Sequence, residues 1–175
     1  SFCPLEVIRS ALCLKLHVFE ETGAIIASAT TSIPEAMGTQ RTWDYRYCWL
    51  RDSAFVVDAL RRLSHLQEGR RFVTFLRDVA EGAPLQPVYG IGGERKLEEE
   101  ILAHLRGFRG NGPVRIGNAA YKQVQNDLVG EVMLCLETIL TDERLVLEKP
   151  QEYAPLVIRL VDEAVKASET TDTGI

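Results

Sequence analysis

Trp43-Asp44-Tyr45-Arg46-Tyr47-Cys48-Trp49-Leu50-Arg51-Asp52 is the stretch on which the reading of this chain turns. Aromatic, arginine and aspartate side chains alternate within it. Aromatic faces stack on weakly apolar C–H surfaces, Arg offers a fork of donors, and Asp offers acceptors. A sugar ring asks for all three, because it has a C–H face and a rim of hydroxyls. A second reading stands beside this one: an aromatic cluster that plugs a core, with Asp52 capping the helix that follows.

Outward from Asp52 the pattern is helical. Val56, Ala59, Leu60 and Leu63 form one face, and Gln67-Glu68-Gly69 is expected to break it. Phe72, Phe75, Leu76 and Val79 form the next helix, ended by Gly82 and Pro84. Upstream, Leu5, Ile8, Leu12, Leu16 and Phe19 predict a helix over Pro4–Glu21 that Thr22-Gly23 stops. Downstream, Glu98-Glu99-Glu100 suits the acidic first turn of a short helix reaching Leu105. The longest helix is predicted from Asn118, through Tyr121, Val124, Leu128, Val132, Cys135 and Ile139. Gly130 inside it suggests another backbone close by. Pro150 and Pro155 open a last helix carrying Leu156, Leu160, Val161, Ala164 and Val165, and 170–175 reads as a loop. No alternation of strand and helix is visible, so the class is all-α. The connections 23–51, 83–94 and 107–117 collect the Gly, Pro, Arg and aromatic residues, and such loops often carry function.

Composition narrows the partners. A net charge of −5 is the wrong footprint for nucleic acid. The apolar N-terminus is interrupted by Glu6, Arg9 and Lys15, so no run suits a membrane span. Cys3, Cys13, Cys48 and Cys135 have no zinc or redox spacing and read as reduced, mostly buried thiols of a cytoplasmic protein. His17, His65 and His104 form no metal motif. Neither a metal nor a cofactor is implied. Gly90-Ile91-Gly92-Gly93 lacks the Lys-Ser/Thr ending of a phosphate loop.

Taken in order, the motifs resemble glycoside hydrolase family 15, which holds glucoamylases, glucodextranases and bacterial trehalases. The resemblance begins at Arg9-Ser10-Ala11-Leu12 and runs through Thr22–Ala27, Thr30-Thr31-Ser32-Ile33-Pro34-Glu35 and the aromatic stretch. It continues through Tyr89-Gly90-Ile91, Gly93-Glu94-Arg95 and Pro113-Val114-Arg115-Ile116-Gly117-Asn118, and then Gln123, Gln125, Asp127 and Gly130-Glu131. Thr42 departs from it, standing where the family usually has Asn.

The resemblance implies an (α/α)6 toroid, of which residues 1–175 are the N-terminal portion, and hydrolysis of terminal α-linked glucose with inversion. It implies that Arg51 and Asp52 grip the glucose hydroxyls while Tyr45 and Trp49 form aromatic walls. Trp43, Asn118, Gln123 and Asp127 are candidates for the pocket rim. Inversion uses a carboxylic acid and a carboxylate about 6.5–9.5 Å apart. The family's general acid follows a Gly-Ile-Trp sequence, so here it is expected just after Ile175, and the base further on. The expected activity is glucoamylase-like, with a trehalase of the same fold or a non-catalytic carbohydrate-binding module as alternatives. The chain alone is expected to be inactive. Apolar surface left uncovered on its helices is expected to favour self-association.

Overall fold

A computed structural model of the chain describes residues 3–145, 147 and 149–172. Five α-helices carry the fold: α1 (Pro4–Lys15), α2 (Leu50–Arg62), α3 (Leu66–Ala80), α4 (Asp127–Leu140) and α5 (Ala154–Ala167). Between them lie two-residue strands. β1 (Cys48–Trp49) pairs antiparallel with β2 (Val88–Tyr89), and β3 (Glu100–Ile101) pairs antiparallel with β4 (Arg115–Ile116). Short 3₁₀ turns, Ala119–Lys122 and Pro150–Tyr153, precede α4 and α5. The mostly helical architecture accords with an all-α glycosidase fold. Among the described residues, no helix is long and apolar enough to cross a membrane.

The core is the seam where α2, α3, α4 and α5 meet. Leu50, Val57, Leu60, Phe72, Val73, Leu76, Val132, Leu136, Ile139 and Leu160 are all but closed to solvent. Burying a side chain of this size contributes roughly 1.5–3 kcal/mol. The loop residues Ala24 and Ile25 and the strand residue Tyr89 close the same core from the end at which α2 begins.

Gln67-Glu68-Gly69 does not break the helix. α3 runs straight through it, and the reversal comes earlier, at Ser64 with φ +66°. Gly69 is there for packing, since a Cβ would lie 2.5 Å from Ile139 Cδ1 and 3.3 Å from Val57 Cγ1. Gly130, expected to mark a close approach, faces open space. The segment expected to be helical after Glu98 is instead β3, paired with a strand 15 residues away in sequence. The expected long helix from Asn118 is divided into a 3₁₀ turn and α4. Gly117 sits just before the 3₁₀ turn, with φ +79° and the Glu98 carbonyl oxygen 1.9 Å from where a Cβ would be, so only glycine fits.

α1 is shorter than predicted, ending at Lys15. Its apolar stripe faces outward: Leu5, Ile8, Leu12 and Leu16 are 75%, 56%, 59% and 84% exposed, and only Ala11 is buried. What holds the helix is its last turn, where the Lys15 ammonium meets the nearly buried Glu68 carboxylate of α3. At the other end of α2, Arg61 bridges Asp58 at 3.0 Å and Asp142 at 3.2 Å, and Arg144 takes Asp142 at 2.6 Å. Those cations hold the Asp142 carboxyl well below its usual range. The cysteines divide evenly. Cys3 and Cys13 are exposed, against the expectation of mostly buried thiols, while Cys48 and Cys135 are buried. Burial pushes the Cys48 thiol up to about 11 and Cys135 up to about 12, so neither is poised as a nucleophile.

Burial is the largest single influence and would raise the Glu68 carboxyl, but the Lys15 hydrogen bond and charge, its own backbone N–H and the nearby His65 together hold the group below its usual 4.5. A depressed carboxyl adds stability above the unfolded value and loses it as pH falls through the folded one. Glu68→Gln is therefore expected to lower stability by about 1–2 kcal/mol near pH 7. The deficit should shrink towards zero in acid. Urea denaturation of both proteins across that range measures it.

Candidate sugar-binding site

The aromatic stretch owes its shape to Asp44. This residue is 1% exposed. Its carboxylate accepts the Arg46 backbone N–H at 3.1 Å, Nε at 2.9 Å and Nη2 at 2.9 Å. Its carbonyl accepts Asn118 Nδ2 at 2.9 Å. Neighbouring polar side chains stitch this loop to the segment before α4. Thr42, fully buried, donates its hydroxyl to the Pro113 carbonyl at 2.6 Å, and Thr31 donates to Arg115 O at 2.7 Å. Asn111 Oδ1 accepts Gly38 N at 2.6 Å, and the Tyr47 hydroxyl accepts Gly117 N at 3.1 Å. The departure at Thr42 thus has a definite outcome, a hydroxyl spent on the neighbouring loop.

Strand pairing ties in the third loop. Cys48 lies opposite Tyr89, and the Leu50 N–H donates to Pro87 O at 3.1 Å as α2 begins. The three connections 23–51, 83–94 and 107–117 therefore meet at one end of the helices. Ser53 locks the start of α2, donating to Trp49 O at 2.7 Å and Ile25 O at 3.1 Å.

Arg51 and Asp52 fall in the first turn of α2 and open onto one recess of about 480 Å³. Its other walls are Cys13 and Leu14 of α1, His17, Ile26, Ala27, and Phe55 and Val56 of α2. Arg51 Nη1 pairs with Asp127 Oδ2 at 2.8 Å across 76 residues of sequence. Asp52 is solvent-exposed, yet its partial burial against the recess walls pushes its carboxyl above the usual 3.8, against its own backbone N–H and the Arg51 charge.

Tyr45 and Trp49 pack as a tilted pair with ring centroids 6.0 Å apart. Neither ring lines the recess; the pair stands behind its Ala27 wall, near enough for the Asp52 charge to act on the Tyr45 phenol. Burial first, then the Glu35 carboxylate, raises the Tyr45 phenol, and Asp52 adds to it. The Tyr45 hydroxyl donates to Glu35 Oε1 at 3.3 Å. Trp49 is mostly buried against Val88 and Leu97, and its Nε1–H has no acceptor among the described residues. A buried donor without a partner costs about 1–3 kcal/mol, which a bound acceptor would relieve.

The four rim candidates separate. Trp43 lies under the Arg115 guanidinium, 4.9 Å from the ring centre, in the stitched loops. Asn118 is buried, and its amide is committed to backbone at Asp44 O and Ala120 N. Gln123 lines a different groove, with Leu85, Asn126 and Lys166, and accepts Gln125 Nε2 at 2.9 Å. Asp127 alone of the four touches a residue of the recess. Sequence reasoning placed Glu35 in a family motif but did not pair it with Tyr45, and it did not foresee the Cys13–His17 wall, because neither shares a periodic face with the aromatic stretch. Thr173–Ile175, which lead towards the expected general acid, lie outside the described residues. Among those described, no cluster of His, Cys, Asp and Glu could hold a metal ion.

Residues 6–175 match the family model described as glycosyl hydrolases family 15. The chain is 42% identical over 172 residues to the trehalase of Mycolicibacterium smegmatis, an alignment covering 95% of this chain and 25% of that protein. The same identity, length and coverage hold for the trehalase of Mycobacterium tuberculosis. Trehalase 2 of Sulfolobus acidocaldarius is 45% identical over 122 residues, covering 68% of this chain and 21% of that protein. The chain thus spans about a quarter of the length of the curated relatives it matches. No solved structure matches it.

A raised carboxyl sets a sign for Asp52. The folded state holds this proton more tightly than the unfolded chain, so the stability it contributes is full below 3.8 and is lost as pH rises through the folded value. Asp52→Asn is expected to raise the urea midpoint near pH 7 and to leave it unchanged at about pH 3. Equal midpoint shifts at both pH values would show that the recess does not desolvate this group.

Proposed function

The chain belongs to family 15 of the glycosyl hydrolases, and on that premise we propose that it is the N-terminal part of a trehalase-type catalytic domain. The observation that carries this reading is the shared recess of Arg51 and Asp52, flanked by the Tyr45–Trp49 pair. Within it, Asp52 accepts from hydroxyls of one glucose ring, Arg51 donates to them, and the aromatic pair covers the C–H face. Charged hydrogen bonds of this kind contribute roughly 1.5–3 kcal/mol each. In this reading Asp52 serves as an acceptor for sugar hydroxyls, and the acid and base are assigned to residues after Ile175, as the family resemblance implies.

Glucoamylase-type specificity was the first expectation from the sequence. The relatives are named trehalase, and this moves the preference to trehalose, two α-linked glucose units joined at their anomeric carbons. Both substrates end in the same terminal glucose, so the residues of the recess suit either. The described chain ends close to this site: the Asn126 N–H donates to Asp172 Oδ2 at 2.9 Å, and Asn126 Nδ2 donates to Thr170 O at 2.9 Å. That anchoring supports a general acid entering beside Asp127 and Arg51. The four unpaired cysteines support placement in a reducing compartment, the cytoplasm.

In the complete polypeptide, trehalose is expected to be hydrolysed faster than maltose or dextrin, with inversion. Asp52→Ala should lower kcat/KM by at least about 10²-fold with little loss of fold. Preferred cleavage of maltose would return the reading to glucoamylase, and an unchanged rate in the variant would remove Asp52 from the site. The chain of residues 1–175 alone is expected to release no glucose from either sugar. It is also expected to associate through Leu5, Ile8, Leu12 and Leu16, which light scattering on dilution would test.

A further inference from the structure

Arg51 is a long side chain about one third exposed, and on its own it would sample many rotamers. Asp127 opposes that freedom. It is the first residue of α4, so the position of its carboxylate follows from the helix start, and α4 is fixed by Leu128, Val132, Leu136 and Ile139 in the core. The pair engages a single guanidinium nitrogen, Nη1. Among the described residues no hydrogen bond uses Arg51 Nε or Nη2. The adjoining residue, Asn126, meanwhile holds 170–172 through two hydrogen bonds.

We propose that Asp127 is a positioning residue: it holds Arg51 by one nitrogen so that the rest of the fork stays available to sugar hydroxyls in the recess. The first turn of α4 then sets two things at once, the direction of the sugar-binding guanidinium and the path of the segment that follows α5. This inference rests on the sugar-binding reading of Arg51 and Asp52. Asp127 itself needs no contact with substrate. A fork already aimed loses less entropy on binding, and the gain applies to ground state and transition state alike, so it belongs in KM.

The test is a double-mutant cycle in the complete polypeptide, with trehalose as substrate. Asp127→Asn is nearly isosteric and is expected to raise KM about five- to tenfold with kcat changed less than about twofold. Asp127→Glu, which keeps the charge, should recover most of the loss. In an Arg51→Ala background, Asp127→Asn should have no further effect on kcat/KM, since nothing is left to position. Thermal midpoints of all variants, measured alongside, separate a folding defect from a binding one. Full additivity of the two substitutions would overturn the proposal, as would a KM unchanged by Asp127→Asn. In both cases an impaired Arg51→Ala would leave the sugar-binding reading standing. An Arg51→Ala enzyme with normal KM and kcat would overturn both together.

Discussion

A carboxylate almost closed to water must have its lone pairs engaged or it destabilises the fold by several kcal/mol. Asp44 is that group, and the geometry of the candidate site follows from how it is satisfied. Three N–H donors of Arg46 bind the carboxylate, and Asn118 binds the carbonyl of the same residue. The chain between Thr42 and Cys48 is thereby held in one conformation without helix or extended sheet to support it. Tyr45 and Trp49 inherit their facing arrangement from this, and α2 starts at the residue after Trp49. A loop whose polar groups are satisfied by other loops becomes as rigid as the helices it joins. The candidate site is held by irregular backbone of this kind.

Much of this was legible in the sequence, for physical reasons that can be named. The helices α2 to α5 were visible because a half-buried helix must repeat its apolar residues with a period near 3.6. Arg51 and Asp52 were singled out by the family resemblance and by the crowding of charged and aromatic residues around them, and both line one recess. The errors fall where distant packing overrides local preference. Gly69 reads as a breaker, yet it is a helix interior residue selected by the Ile139 side chain lying against it. The acidic run at 98–100 has helical chemistry, yet the partner that draws Glu100 and Ile101 into a strand is Arg115-Ile116. Asn118 had the chemistry of a rim residue, and its amide went to the backbone because the loops needed it there. No local pattern joins Asp127 to Arg51. Only the packing of α4 against α2 brings those two charges together.

Sequence and structure divide the work of identification differently. The motifs in their order point to the family, and the match over 6–175 establishes it. Specificity within the family is a separate matter: in the proposed reading Tyr45, Trp49, Arg51 and Asp52 address one glucose ring, which trehalose and maltose share.

The thin attachment of α1 has a thermodynamic consequence. This helix buries one residue and is anchored chiefly by Lys15 on Glu68. Few buried contacts place a segment at the low end of local stability, so α1 is expected to open before the α2–α4 seam. Cys13 and Leu14 of the same helix wall the recess beside Arg51 and Asp52. Whenever α1 detaches, the recess loses that side. Occupancy of the recess and docking of α1 are consequently linked equilibria, and each favours the other by the same free energy. An ion pair in the last turn of a marginal helix thus bears on the fraction of molecules in which the recess is complete.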